Sequence, residues 1–109
     1  MSLDSWTRQL ISLSIHRADP DPMAFKIISI NKTKISDGLV DANLALYGYT
    51  FGVSYSTHIE PVHYKELLFV TIKDGLGYNI SFTRNPEQFD TYYPVVKKMI
   101  DSFELVGLT

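Results

Sequence analysis

The stretch KELLFVTIKDGLGYNISFTR, residues 65–84, carries the strongest fold signal in the chain. Residues 67–72 are apolar at nearly every position, which is typical of a central strand covered on both faces. The Asp74-Gly75 pair predicts a tight hairpin turn, because glycine accepts a positive φ without a Cβ penalty. In residues 78–83 apolar and polar side chains alternate, as in a strand with one core face. The stretch predicts an antiparallel hairpin with a layer on each side of its sheet.

A first helix is predicted over residues 3–16. Ser2 is placed to cap it, and Asp4 lies in its first turn, where the helix dipole favours an anion. Residues 19–22, Asp-Pro-Asp-Pro, predict a stop after it. The apolar residues that return to one face of this helix are Leu3, Trp6, Leu10 and Leu13.

A second helix is predicted after the hairpin, from Pro86 to Phe103. Asn85 is placed as its N-cap, and proline is well suited to the first helical position. Pro94 lacks an N–H group and predicts a kink or a restart near Thr91. The residues expected on its buried face are Phe89, Tyr93, Val96, Ile100 and Phe103.

Between the helices the pattern predicts five strands, at residues 25–31, 42–50, 52–59, 63–73 and 77–84. The first is followed by a loop at residues 36–38, and the others are separated by short turns at residues 50–52, 60–62 and 74–75. Connections this short join antiparallel neighbours and predict a meander. The predicted fold class is therefore α+β, an antiparallel sheet flanked by an N-terminal and a C-terminal helix.

Composition supports one folded domain over residues 1–109. The chain is 45% hydrophobic and 20% charged, with a formal net charge of -2. This balance provides no broad cationic field for a phosphate backbone, so nucleic acid is not expected as a partner. No apolar run reaches the roughly 18 residues that a membrane span needs, and we expect no membrane insertion. The absence of cysteine excludes disulfides and thiolate sites.

Residues 65–75, 77–83 and 86–103 together resemble the closing hairpin and helix of PsbP-like domains, in particular the small archaeal and bacterial versions. The ending at residues 99–103, Met-Ile-Asp-Ser-Phe, is similar to the Met-Ile-x-Ser-Phe type ending of the family. The resemblance covers nearly the whole chain and is most specific in residues 65–105. It implies an α/β/α sandwich and, in the plant relatives, an accessory role at photosystem II. No partner or metal motif of the plant proteins can be matched to residues of this chain.

Family members usually carry further N-terminal strands before the first helix, whereas this chain begins at or just before that helix. The resemblance therefore implies a truncated or minimal domain. A missing hairpin would leave an unpaired sheet edge, and a homodimer through that edge would cover it. The resemblance is compatible with an extracytoplasmic or membrane-associated location.

The candidate metal ligands are His58, Glu60 and His63, with Glu66 close by in sequence. Imidazole and carboxylate groups are ligands for zinc and other divalent ions. Against a metal site, Pro61 predicts a turn and strand alternation separates the side chains. The alternative is that these are solvated hairpin residues.

Aromatic residues are concentrated at Tyr47, Tyr49, Phe51 and Tyr55. Alternation predicts that the first three share one face of a strand. Tyrosine is enriched at binding surfaces, so these rings are a candidate contact surface for a protein or small ligand. The alternative is that they pack in the core under a helix or across neighbouring strands.

No arrangement of catalytic residues is visible in the sequence. There is no Gly-x-Ser-x-Gly elbow, and Gly75 and Gly77 lead into a strand where a phosphate loop would lead into a helix. The sequence predicts a non-enzymatic binding or accessory module that acts by protein–protein contact, without a cofactor. The alternative is a small-ligand or divalent-metal binding domain that uses the face between sheet and helix. An apolar pocket with a few convergent polar groups would favour that alternative.

Overall fold

The computed structural model describes residues 2–16, 24–35 and 40–103. Its elements in chain order are α1 (Leu3–His16), β1 (Ala24–Ile35), β2 (Val40–Ser54), β3 (Ile59–Lys73), β4 (Leu76–Arg84) and α2 (Pro86–Asp101). The stop predicted at residues 19–22 and the loop predicted at residues 36–38 lie outside the described residues. Within them, neither helix is long and apolar enough to cross a membrane.

The sheet is a four-stranded antiparallel meander in the order β1-β2-β3-β4, which confirms the α+β fold class and the prediction of an antiparallel meander. The hairpin between β3 and β4 turns at Asp74 and Gly75, as predicted. Asp74 has a φ of 53° and Gly75 a φ of 77°. Two consecutive residues with positive φ are typical of the turn whose twist matches that of paired strands.

The prediction of five strands is wrong for the described residues, because two predicted turns lie inside strands. β2 continues through residues 50–52 and β3 through residues 60–62, where Gly52 pairs with Pro61. Pro61 is tolerated because, within the described part of the chain, this part of β3 pairs with β2 alone. Its missing N–H can therefore face away from the ladder. The chain reverses instead at residues 55–58, where the Tyr55 N–H donates to the His58 carbonyl at 2.7 Å.

β1 extends past its predicted end to Ile35 through a polar stretch. Two of its lysines make ion pairs that suit this conformation. The Lys32 ammonium lies 2.7 Å from an Asp4 carboxylate oxygen, and the Lys34 ammonium lies 2.5 Å from one of Asp41. Both pairs are exposed, so each stabilises the strand only slightly.

A helix covers each face of the sheet, as the apolar run in β3 predicts. On the face covered by α1, the buried cluster is Ile11, Ala45, Tyr47, Tyr49, Leu68 and Val70. On the face covered by α2, the buried cluster is Ile35, Val40, Ala42, Leu44, Leu67, Phe69, Phe89 and Ile100. β3 contributes alternate residues to both clusters, which makes it the centre of the core.

α1 has its predicted bounds and is fixed at its N-terminus and by one aromatic side chain. The Ser2 hydroxyl accepts a hydrogen bond from the Ser5 N–H at 3.0 Å, which confirms the cap. Trp6 lies directly over Gly77 of β4, where a Cβ atom would stand 2.2 Å from the indole ring. Glycine at this position lets the ring pack against the strand backbone.

α2 begins as predicted, because the Asn85 side chain accepts a hydrogen bond from the Gln88 N–H at 2.9 Å. It does not restart near Thr91 but runs without a break through Pro94. Pro94 cannot donate to the carbonyl of Asp90. Both residues are exposed, so water can satisfy that carbonyl and the helix tolerates the proline.

Candidate functional site

The predicted aromatic contact residues fall mostly in the core. Tyr47 and Tyr49 are buried on the face covered by α1, and Phe51 is half-buried. All three lie on β2 and share that face, with ring centroids 6.2 Å apart for Tyr47–Tyr49 and 5.4 Å for Tyr49–Phe51. Tyr55 lies in the turn at residues 55–58 and is 53% exposed. The packing alternative therefore accounts for Tyr47 and Tyr49, and Tyr55 is the member that remains accessible.

A buried carboxylate joins the two core tyrosines. Glu66 is 1% exposed. Its Oε2 accepts a hydrogen bond from the Tyr47 hydroxyl at 2.5 Å, and its Oε1 accepts one from the Tyr49 hydroxyl at 3.3 Å. Since an unpaired buried polar group is costly, removing one of these three side chains would deprive the others of a hydrogen-bond partner. Their role is structural, and it removes Glu66 from the candidate metal ligands.

Burial, together with the hydrogen bond to Glu66, raises the pKa of the Tyr47 phenol above its ordinary value. The protonated phenol therefore contributes stability that is complete below about pH 10 and is lost as the pH rises above it. We expect the free energy of unfolding, measured by urea denaturation, to fall above about pH 10, and Tyr47→Phe to flatten that fall. Tyr78→Phe, on the exposed part of β4, is the control. It should leave the fall in the free energy of unfolding above about pH 10 unchanged. An equal pH dependence in Tyr47→Phe and the wild type would contradict this.

The candidate metal ligands are brought together only in part. The His58 Nε2 atom lies 2.9 Å from Glu60 Oε1. His63 instead hydrogen-bonds Thr50 through Nδ1 at 2.8 Å. Strand alternation sets Glu60 and His63 on opposite faces of β3. Among the described residues, no three histidine or acidic side chains are grouped to hold a metal ion.

The solvent side of α2 carries an apolar stripe that the sequence analysis missed. Tyr92, Val95 and Met99 are 52%, 60% and 63% exposed, respectively. Their spacings of three and four residues place them on one side of the helix, away from the buried Phe89 and Ile100. We call these three residues the outer face of α2. This spacing is visible in the sequence. It was missed because the predicted buried face of α2 is by itself enough to predict the helix.

The outer face of α2 borders a shallow groove between α2 and β4. This groove has a volume of about 270 Å³ and is lined by Phe82, Arg84, Gln88, Tyr92, Val95 and Val96. β4 pairs only with β3 in the described part of the chain, so the groove runs along an edge of the sheet. The groove and the outer face of α2 share Tyr92 and Val95, and Arg84 and Gln88 add polar groups to the groove.

A second cavity, of about 420 Å³ and wide open to solvent, lies against β1, β2, β3 and the start of α2. Lys26, Gly48 and Lys65 occupy neighbouring positions on three adjacent strands and all line it. Thr50 and His63 line it one row further along the same strands. The sequence analysis missed this group because its members come from strands far apart in the chain.

The outer side of β1 is protected against pairing with another strand. Three lysines, Lys26, Lys32 and Lys34, lie along this strand, and its pairing with β2 shifts between Ile27 and Ser29. Lysines and bulges are the features by which proteins discourage edge-to-edge contact. A homodimer through the β1 edge would bring these like-charged lysines together. The β1 edge is therefore a less favourable surface for a contact between copies than others on the protein.

Compared with protein-family models, with curated proteins and with solved structures, the chain has no significant match.

Proposed function

We propose that the chain is a non-enzymatic binding module that acts by contact with another protein through the outer face of α2. The observation that carries this proposal is the exposure of Tyr92, Val95 and Met99, each more than half accessible. The helix already buries a separate apolar stripe against the sheet, so these residues are not needed for the core. An apolar stripe of this kind on a helix is typical of an interaction site.

We infer that the partner at this surface is a second copy of the chain. α2 has an acidic residue, Glu87, in its first turn and a basic residue, Lys98, in its last turn. Glu87 lies five residues before Tyr92, and Lys98 lies six residues after it. Two copies packed antiparallel around Tyr92 would therefore set each Glu87 at nearly the same height along the contact as the other copy's Lys98, on the flank of the contact. A two-fold contact of this kind is self-complementary in both charge and apolar surface.

We also propose that the fold is the PsbP-like sandwich implied by the sequence resemblance. Support comes from the order of the elements, in which the closing hairpin of β3 and β4 leads directly into the proline-containing helix α2. The helix ends at the family-like sequence of residues 99–103, and Phe103 packs on Phe69 at 5.2 Å between ring centroids. An accessory role by protein contact is the function that this fold would share with the family.

The test of the contact is sedimentation velocity over about 10 to 500 µM, the range suited to a small interface. The wild type is expected to shift from monomer to dimer with rising concentration. Val95→Lys should remain monomeric, because burying an unpaired ammonium in the contact is costly. Val53→Lys, the same change at an exposed position of β2, is the matched control and should behave as the wild type. A wild type that stays monomeric throughout would overturn the proposed contact.

A further inference from the structure

The cavity of about 420 Å³ on the face covered by α2 has a cationic lining. Its basic side chains are those of Lys26, Lys65 and His63, and no aspartate or glutamate among the described residues lines it. The chain as a whole has a formal charge of -2. A cavity whose described lining has basic but no acidic side chains, in a protein of negative net charge, concentrates positive potential where a small anion would enter.

The sheet register explains how the two lysines meet. Gly48 of β2 pairs with Lys26 on one side and with Lys65 on the other. Neighbouring strands are about 4.8 Å apart, so the two lysine backbones are about 10 Å apart. Gly48 has no side chain to fill the space between them. Two flexible ammonium groups can therefore reach one anion held above the glycine.

The charges around Lys65 include one partner within the protein and one charge of the same sign. Lys65 makes an ion pair with Asp90, whose Oδ1 lies 3.1 Å from its Nζ. On its other side Lys65 pairs across the strands with Arg84. Like charges directly opposite each other in a sheet destabilise it. Asp90 offsets part of this repulsion, and an anion bound at Lys26 and Lys65 would offset more of it.

The remaining walls define the kind of anion. The Thr50 hydroxyl and His63 Nδ1 are hydrogen-bonded to each other at 2.8 Å and add polar groups on one side. Ile28 and Pro86 add apolar surface. The volume is larger than an inorganic ion needs and falls in the range of small-molecule sites. Lysine ammonium groups are compact point charges suited to phosphate.

We propose that this cavity binds a small phosphomonoester. Its phosphate group lies between Lys26 and Lys65, and its organic part packs against Ile28 and Pro86. The proposal does not depend on the contact proposed for the outer face of α2, and each can fail without the other.

Isothermal titration with phenyl phosphate at low ionic strength tests this site. Phenyl phosphate is expected to bind at least about fivefold more tightly than inorganic phosphate or phenol, because only it combines charge with an apolar body. Lys26→Gln should weaken its binding by about tenfold, the loss of one charge-assisted hydrogen bond. Lys65→Gln should also weaken the binding of phenyl phosphate by about tenfold. Because Lys65 also contacts Asp90, circular dichroism is used to verify that this variant is folded.

Lys32→Gln is the matched control, since Lys32 lies on the same strand as Lys26 but pairs with Asp4 of α1 on the opposite face. It removes the same charge and should leave the affinity for phenyl phosphate unchanged. No heat of binding from phenyl phosphate would overturn the proposal. So would equal affinity for inorganic phosphate, or a loss in Lys32→Gln as large as that in Lys26→Gln.

Discussion

We expect Phe89→Ala to lower the free energy of unfolding by about 3–5 kcal/mol, the range for removing a buried phenylalanine. Phe89 is almost completely buried on the inner side of α2. Its ring lies 5.4 Å from that of Phe82 on β4 and 5.7 Å from that of Tyr93, measured between centroids. The Lys65 ammonium lies 5.0 Å from the ring centre. Denaturation by urea, followed by circular dichroism, measures the loss.

Tyr92→Ala is the matched control for this effect. Tyr92 is an aromatic residue on the same helix, three positions further along, but it belongs to the exposed outer face. Its removal should change the free energy of unfolding of the monomer by less than about 0.5 kcal/mol. Equal losses at the two positions would mean that α2 does not have one buried side and one free side.

The second large effect is expected from Gly77→Ala, which we predict to cost about 1–3 kcal/mol. The added Cβ would lie 2.2 Å from one indole atom of Trp6 and 2.6 Å from another. The indole cannot yield without moving α1, because Trp6 packs against the buried cluster on that face. Gly48→Ala is the control, since the nearest atom to its added Cβ is 3.5 Å away, an ordinary contact.

A double-mutant cycle with Trp6→Leu shows whether the indole is the cause. Leucine removes the ring that the new methyl group would meet. Gly77→Ala should therefore cost much less in the Trp6→Leu background than in the wild type, with a coupling energy of about 1 kcal/mol or more. Strictly additive losses, measured by the same denaturation experiment, would contradict the packing of Trp6 on β4.

Much of the fold could be predicted from local signals. The bounds of α1, the turn at Asp74-Gly75 and the start of α2 each follow from a side chain or backbone preference that acts within a few residues. The apolar run in β3 also predicts the two covering layers correctly. These features depend on short-range chemistry, so the sequence is sufficient for them.

The errors come from features that depend on neighbouring strands. Gly52 and Pro61 are ordinary turn residues in isolation, yet they pair with each other where β2 and β3 have no further partners among the described residues. Pro94 is tolerated because the side of α2 that it occupies is exposed. In both cases the tertiary context decides whether the local preference is expressed.

The two candidate sites also differ in whether the sequence could predict them. The outer face of α2 is visible in the sequence as a second spacing of three and four residues, because one helix contains all its members. The cavity is not visible in this way. Its lysines, at positions 26 and 65, lie near each other because both pair with Gly48. The register of a sheet cannot be predicted from composition.

The antiparallel contact between two α2 helices is tested most directly by disulfide cross-linking. The chain has no cysteine, so Tyr92→Cys and Met99→Cys each introduce a single thiol. In the proposed contact the Tyr92 positions meet near the two-fold axis, whereas the Met99 positions lie about 21 Å apart along the helices. A disulfide requires Cα atoms within about 7 Å. Mild oxidation is therefore predicted to yield a covalent dimer of Tyr92→Cys and none of Met99→Cys, and cross-linking of both variants alike, or of neither, would contradict the account.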